Sequence, residues 1–101
     1  MSMTFQTETV SLGKVKTSAV FEIHGARHVI VLTPAAIEGA SVSYLGATSR
    51  TGTFSAVVGA TGLTKGSWQS VPSTCIGLHS LKMVLASAQT TARTVVVCKH
   101  S

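Results

Sequence analysis

Ser80-Leu81-Lys82-Met83-Val84-Leu85-Ala86 is the stretch that decides the fold, because apolar residues occupy every second position. Leu81, Met83 and Leu85 share one face of an extended chain, while Lys82 lies on the other. A strand with this pattern buries one face in a core and turns the other outward, as strands of antiparallel sheets do. The stretch therefore predicts a half-buried strand in a sheet with one packed side.

The same alternation recurs along the chain, for example where Val42 and Tyr44 lie opposite Ser41 and Ser43. No segment holds a helical period with capping residues at its ends. The predicted strands are Thr4–Val10, Ser18–Ile23, His28–Leu32, Ala40–Leu45, Thr53–Val58, Ser67–Val71, Ser80–Ala86 and Thr94–Lys99. Strands of this length and spacing predict an all-β chain that folds as a single small β-sandwich, with Ig-like or jelly-roll connectivity.

The connecting segments carry turn chemistry. Gly25-Ala26-Arg27 and Ser49-Arg50-Thr51-Gly52 each predict a short hairpin between neighbouring strands. Thr33-Pro34-Ala35-Ala36 predicts one short helical turn, because proline suits the first position of a helix. Residues 1–10 are predicted to form an N-terminal strand or arm that adds a strand to a neighbouring molecule. Residues 11–101 are predicted to form a single sandwich domain.

The chain is poor in charge and contains neither Asp nor Asn. Charged residues make up 11% of the 101 residues, and the only carboxylate side chains are Glu8, Glu22 and Glu38. The net charge of +5 reflects missing acids as much as added bases, and the bases are spread along the whole chain. Such dispersed charge disfavours a nucleic-acid partner. The composition instead suits a protein that buries surface against other proteins.

The sequence shows no recognisable membrane span or secretory signal. Apolar runs such as Val29–Leu32 are far shorter than the ~18 residues of a membrane span, so no membrane partner is expected. The opening residues lack the basic and apolar regions of a secretory signal, which predicts assembly in the cytoplasm. Cys75 and Cys98 are then expected to be free thiols, although a disulfide between them stays open if their strands pair.

The inventory of reactive residues predicts neither an enzyme nor a cofactor site. No Asp is present to orient a histidine, and no Glu lies in a recognisable catalytic elbow or loop. Glu22, His24 and His28 form a candidate metal set, but a glycine-containing turn separates the two histidines and disfavours joint ligation. We therefore expect no catalytic, cofactor-binding or metal-binding residues, and two histidines that flank an exposed turn.

Trp68 is the aromatic residue best suited to a surface role. It follows Lys65 and Gly66, so its ring is expected beside a basic, glycine-containing loop. An exposed tryptophan in that place serves either as an interface anchor or as a platform for a sugar ring. The other aromatic residues fall mostly at positions within strands that are compatible with a core.

The C-terminal part of the chain carries a characteristic order of segments. A Val71-Pro72 step leads to the strand with Leu81-Lys82, and a polar turn then leads to the final strand with Ala92-Arg93-Thr94-Val95. Upstream, Ala40–Gly46 and Gly66–Val71 supply further strands. In this order of segments the chain resembles a group of small virion proteins of tailed bacteriophages.

The resemblance implies a β-sandwich that decorates or cements a bacteriophage capsid. It implies the major capsid protein as partner, a homo-oligomer (trimer or dimer), and a location on the capsid surface of a virion assembled in the host cytoplasm. The candidate interface residues are Phe5 in the N-terminal arm, Trp68 and Val84. Two alternatives stay open, namely a tail or neck component of the same fold and a non-catalytic glycan-binding module that uses Trp68.

Overall fold

The computed structural model describes residues 5–100, with only the backbone described at Phe5 and Val58. Thr4, the predicted start of the first strand, lies outside the described residues. Within residues 5–100 the strands are β1 Phe5–Leu12, β2 Phe21–Glu22, β3 His28–Leu32, β4 Ser41–Ala47, β5 Ser55–Gly62, β6 Trp68–Ser70, β7 Ser80–Leu85 and β8 Arg93–His100. A 3₁₀ helix spans Ser73–Cys75. No helix in this range is long and apolar enough to cross a membrane.

The strands form two antiparallel sheets with nested pairing. The first sheet has the order β1-β8-β3-β6, and the second sheet has the order β2-β7-β4-β5. Strand β1 pairs with β8, β2 with β7, β3 with β6 and β4 with β5, so each pair along the chain is enclosed by the previous one. This is the order of a jelly roll. The structure confirms the all-β sandwich and selects jelly-roll over Ig-like connectivity.

The core lies between the facing sides of the two sheets. Leu81, Met83 and Leu85 are at most 2% exposed, as their alternation predicts, and Val97 faces them from the other sheet with 0% exposure. The buried apolar cluster comprises Val10, Leu12, Phe21, Ile23, Val29, Val31, Ile37, Val42, Tyr44, Val71, Cys75, Leu81, Met83, Leu85, Val95 and Val97. Burial of apolar surface, at about 25 cal/mol per Å², is the main force that holds the two sheets together.

One predicted hairpin is a crossover in the structure. The Gly25-Ala26-Arg27 turn carries the chain from the second sheet to the first, because β2 pairs with β7 while β3 pairs with β8. Gly25 has a φ of +82°, a left-handed conformation that favours glycine and turns the chain sharply. The Ser49–Gly52 segment does join two paired strands, β4 and β5, as predicted.

The helical turn predicted at Thr33–Ala36 is wrong. The Ile37 N–H donates to the Pro34 carbonyl at 3.1 Å, which closes a β-turn between β3 and β4 and goes no further. Ile37 is 1% exposed, so the chain must leave the turn at once to bring this side chain into the core. The short helix forms instead after Pro72, where the Cys75 N–H donates to the Pro72 carbonyl at 3.0 Å.

Gly46→Ala is expected to lower the free energy of unfolding by about 1–3 kcal/mol, the usual cost of overpacking a core. A Cβ at position 46 would clash with a methyl group of Leu78 and lie 2.7 Å from a methyl carbon of Val57. The midpoint of urea denaturation, compared with that of the unmodified protein, measures the effect. Gly59→Ala on β5 is the matched control, because its added Cβ meets nothing within 4 Å. Equal midpoints for the two variants would contradict this packing.

Candidate functional site: an uncharged sheet face and a histidine cluster

The outward side of the first sheet is a continuous surface, because residues paired across antiparallel strands point to the same side. We call it the outer face. Its two central rows are Thr7-Cys98-Ile30-Ser70 and Thr9-Val96-Leu32-Trp68. His100 and His28 continue it at one end, and Ser11 and Thr94 at the other. None of these residues is an Asp, Glu, Lys or Arg, so the outer face carries no permanent charge.

The central strands of the outer face are apolar on both sides. Val29-Ile30-Val31-Leu32 in β3 and Val95-Val96-Val97-Cys98 in β8 are uninterrupted runs, a pattern typical of strands that are covered on both faces. The chain itself covers only the inner side: Val95 and Val97 are at most 1% exposed, whereas Val96 and Cys98 stay half-buried. The outer side of these strands is therefore an apolar surface that the described chain covers only in part.

The second sheet has a different outward side. There Ser43 pairs with Val84 and Leu45 with Lys82, so polar and apolar groups are mixed. The Lys82 ammonium lies 4.5 Å above the centre of the Phe54 ring, where the cation meets the electron-rich face of the aromatic. The strands of this sheet alternate between buried and outward residues, as expected of a sheet with one solvent-exposed face. The asymmetry marks the outer face of the first sheet as the candidate interaction surface.

The outer face is not flat. A depression of about 430 Å³ beside Trp68 is lined by Leu32, Thr33, Pro34, Ala35, Gly66, Thr94 and Val96. A second depression of about 230 Å³ lies at the other end, between His28, Ile30, Cys98 and His100. Gly66 has a φ of +71°, and a Cβ at this position would lie 3.3 Å from the Cβ of Ala35, which also lines the first depression. Such hollows accept protruding side chains of a partner.

The three candidate interface residues do not lie on one surface. Trp68 is 46% exposed on the edge strand β6 and belongs to the outer face. Val84 is half-buried on the outward side of the second sheet, where it also bridges to Thr17. The backbone of Phe5 pairs with His100 within the same chain, and the side chain of Phe5 lies outside the described residues. A single contact surface can include Trp68 or Val84, but not both.

A cluster of Glu22, His24 and His79 lies at the β2 edge of the second sheet. The Glu22 Oε1 and His24 Nε2 atoms are 3.5 Å apart. The His24 and His79 rings stack with centroids 4.5 Å apart and planes 9° from parallel. Arg50 donates from its guanidinium to the other carboxylate oxygen, Glu22 Oε2, at 2.9 Å. Lys99 Nζ donates to the Glu22 carbonyl at 2.8 Å, which ties the cluster to the first sheet.

The glycine-containing turn is expected to keep His24 and His28 from joint ligation, and the structure separates His28 from Glu22 and His24. His28 lies on the outer face of the first sheet, where its ring stacks on His100 at a centroid distance of 6.1 Å. His79 takes the place beside His24, because β2 pairs with β7 and the Ile23 N–H donates to the His79 carbonyl at 2.9 Å. Sequence reasoning missed His79 because no local motif surrounds it; only the nested pairing brings it there.

Both cysteines are free thiols, as preferred from the sequence. Cys75 is 0% exposed in the core, and burial raises the pKa of its thiol. Cys98 is half-buried on the outer face, with its neighbours Ile30 and Thr7 on the paired strands. The two residues lie on different layers of the fold, which explains the absence of a bond between them.

No protein-family model and no curated protein matches the chain. Among solved structures, the SPBc2 prophage-derived protein YomS aligns with a TM-score of 0.68 at 12% identity, over 100% of this chain and 96% of that one. A chain of the disulfide-linked pili of Bacillus endospore appendages aligns with a TM-score of 0.49 at 12% identity, over 98% and 87% of the two chains. The similarity to YomS shows only that the two chains share a fold. The alignment with the pilus chain is too weak to support a conclusion.

Arg50→Gln is expected to raise the pKa of the Glu22 carboxyl toward its ordinary value of 4.5, because the Arg50 hydrogen bond is the main cause that lowers it. A lowered folded-state pKa stabilises the fold above the unfolded pKa, and this contribution is lost as the pH falls through the folded pKa. The variant should therefore lose less stability on acidification. An NMR titration of the Glu22 carboxyl carbon measures the shift.

The matched control for this titration is Arg27→Gln. Arg27 is exposed and makes no ion pair with Glu22 among the described residues. An equal rise of the Glu22 pKa in both variants would contradict the local origin of the shift and indicate a general charge effect.

Proposed function

We propose that this chain is a structural protein of a bacteriophage particle that decorates or cements the capsid through protein–protein contacts. The observation that carries the proposal is the outer face of the first sheet, which is exposed and uncharged. Its central strands contain apolar runs of the kind found in strands that are buried on both sides. We propose that Trp68 anchors the contact and that the depression beside it receives side chains of the partner. The proposed function is not enzymatic.

The physical chemistry of the outer face suits burial in an interface. The cores of protein interfaces are depleted of charged residues, because a charge taken out of water without a partner is costly. Tryptophan is one of the residue types enriched among interface anchors. Thr7, Thr9 and Ser70 around the apolar centre can exchange hydrogen bonds with water for bonds with a partner at little net cost.

The fold and its likenesses support the same proposal. Jelly rolls recur in viral shells and also in lectins. The order of segments in the sequence resembles that of small phage virion proteins, and a solved structure that shares the fold over nearly the whole length is that of a prophage-derived protein. The proposed partner is the major capsid protein, with a homo-oligomer, a trimer or dimer, as the bound form. On a shell of repeated sites, individually weak contacts add up through avidity.

A glycan-binding module is the second candidate function. The exposed Trp68 ring beside a depression that Leu32 and Thr94 help to line is the observation that favours it. Aromatic rings stack on the apolar faces of sugars, and hydroxyl groups around the ring supply polar contacts. The same surface serves both proposals, so they differ in partner rather than in site.

Quantitative mass spectrometry of gradient-purified phage particles tests the proposed location. We expect the chain in copy numbers comparable to those of the major capsid protein, because a decorating protein occupies every equivalent site on the shell. A few copies per particle would contradict decoration and indicate a tail or neck component. Absence from particles would overturn the virion proposal and leave glycan binding, measured by Trp68 fluorescence against oligosaccharides, as the function to test.

Trp68→Lys is expected to lower occupancy on the particle by about tenfold or more, because a lysine would be buried without a partner at the contact. Occupancy is measured after mixing purified protein with particles that lack it. Val15→Lys is the matched control, since Val15 is also an exposed apolar residue, at 53%, but lies in the β1–β2 connection. Equal loss in both variants would contradict the outer face as the contact surface.

A further inference from the structure

The cluster of Glu22, His24 and His79 has the composition and spacing of a metal site. Each residue offers one ligand atom, and these three atoms all lie within 4.8 Å of one another. Ligand atoms about 2.0–2.1 Å from a tetrahedral metal are roughly 3.3 Å apart. The Glu22 Oε1 and His24 Nε2 atoms, at 3.5 Å, already have nearly that separation. Small rotations of the side chains are enough to bring all three atoms to that separation.

The backbone holds two of the ligands and leaves the third adjustable. Glu22 pairs with Ser80, and the hydrogen bond from Ile23 N–H to the His79 carbonyl fixes the two segments side by side. Ile23 is 1% exposed and anchors its segment in the core. The His24 side chain is 62% exposed and precedes the Gly25 turn, so its ring can tilt out of the stack without disturbing the core.

Neighbouring groups orient the ligand atoms. His79 Nδ1 and the Ser80 hydroxyl share a hydrogen bond of 2.8 Å, and Ser80 is fully buried. When Nδ1–H donates in this bond, the unprotonated Nε2 of His79 is the atom left to bind a metal, which is the usual arrangement of ligand histidines. Arg50 occupies Glu22 Oε2 and leaves Oε1 turned toward His24. The carboxylate is thereby prepared to bind through a single oxygen.

We infer that Glu22, His24 and His79 form a binding site for a divalent first-row transition metal, with Zn²⁺ as its simplest occupant. Two imidazole nitrogens and one carboxylate oxygen suit zinc, nickel or copper, whereas magnesium and calcium require oxygen ligands. Three protein ligands leave at least one position for water or for a group of a bound partner. The positive charge of Arg50 opposes a cation and lowers the affinity of the site.

Isothermal titration of the full reduced chain with ZnCl₂ near neutral pH tests the inference. We expect one zinc ion per chain with a dissociation constant on the order of 10 μM, and no measurable binding of Mg²⁺. His24→Ala and Glu22→Gln are each expected to weaken zinc binding by about tenfold or more. His24 lies in an exposed turn, so its removal leaves the fold intact, which circular dichroism checks.

His28→Ala and Cys98→Ser are the matched controls. These residues lie with His100 at the other end of the outer face, where a thiol and an imidazole offer a competing zinc site. Unchanged affinity in both controls, together with zinc-dependent shifts of the His24 and His79 ring signals in NMR, supports the assignment. Loss of affinity in either control with normal binding by His24→Ala would overturn it, as would the absence of zinc binding below millimolar concentration.

Discussion

The pairing register of β8 is the constraint on which the rest of the structure depends. This strand bonds to β1 on one side and β3 on the other, and it is apolar at four consecutive positions, Val95-Val96-Val97-Cys98. The apolar run alone would accept a slip by one residue, which would exchange the inner and outer sides. Arg93 and Lys99 at the ends of the strand decide between the two registers. Their side chains share the side of Val95 and Val97 and reach the rims of the core, where Arg93 lies 3.7 Å from Glu38 and Lys99 lies 3.5 Å from Glu8.

The same register explains why the outer face is uncharged. A shift of β8 by one residue would place Arg93 and Lys99 on the outer face and separate both from their glutamate partners. It would also interrupt the apolar rows with cations. Because the charges stay on the inner side of the strand, they are held at the rim, and Val96 and Cys98 remain next to Ile30 and Leu32. The candidate interaction surface is thus a consequence of the arrangement that closes the core, rather than a separate feature added to it.

The sequence predicts those features that are encoded locally. Alternation at Leu81, Met83 and Leu85 predicts both the strand and its buried face. The choice between Ig-like and jelly-roll order depends on which distant strands pair, and no local pattern encodes the contact of the two-residue strand β2 with β7. For the same reason His79 could not be placed beside His24 from spacing alone. The exposure of Trp68 was predictable because it follows a glycine-containing loop on a strand of only three residues.

The distribution of charge indicates what kind of partner the outer face fits. All three glutamates have a basic partner, namely Arg50 for Glu22, Arg93 for Glu38 and Lys99 for Glu8. Among the described residues, the other five of the eight bases make no ion pair, and they account for the net charge of +5. They are Lys14, Lys16, Arg27, Lys65 and Lys82, and none belongs to the outer face.

An apolar centre on a molecule whose surplus charge is positive best complements a surface with an apolar patch and acidic surroundings. Two copies of this chain carry the same surplus positive charge and repel each other at long range, so an acidic partner complements the outer face better than a second copy does at the first contact.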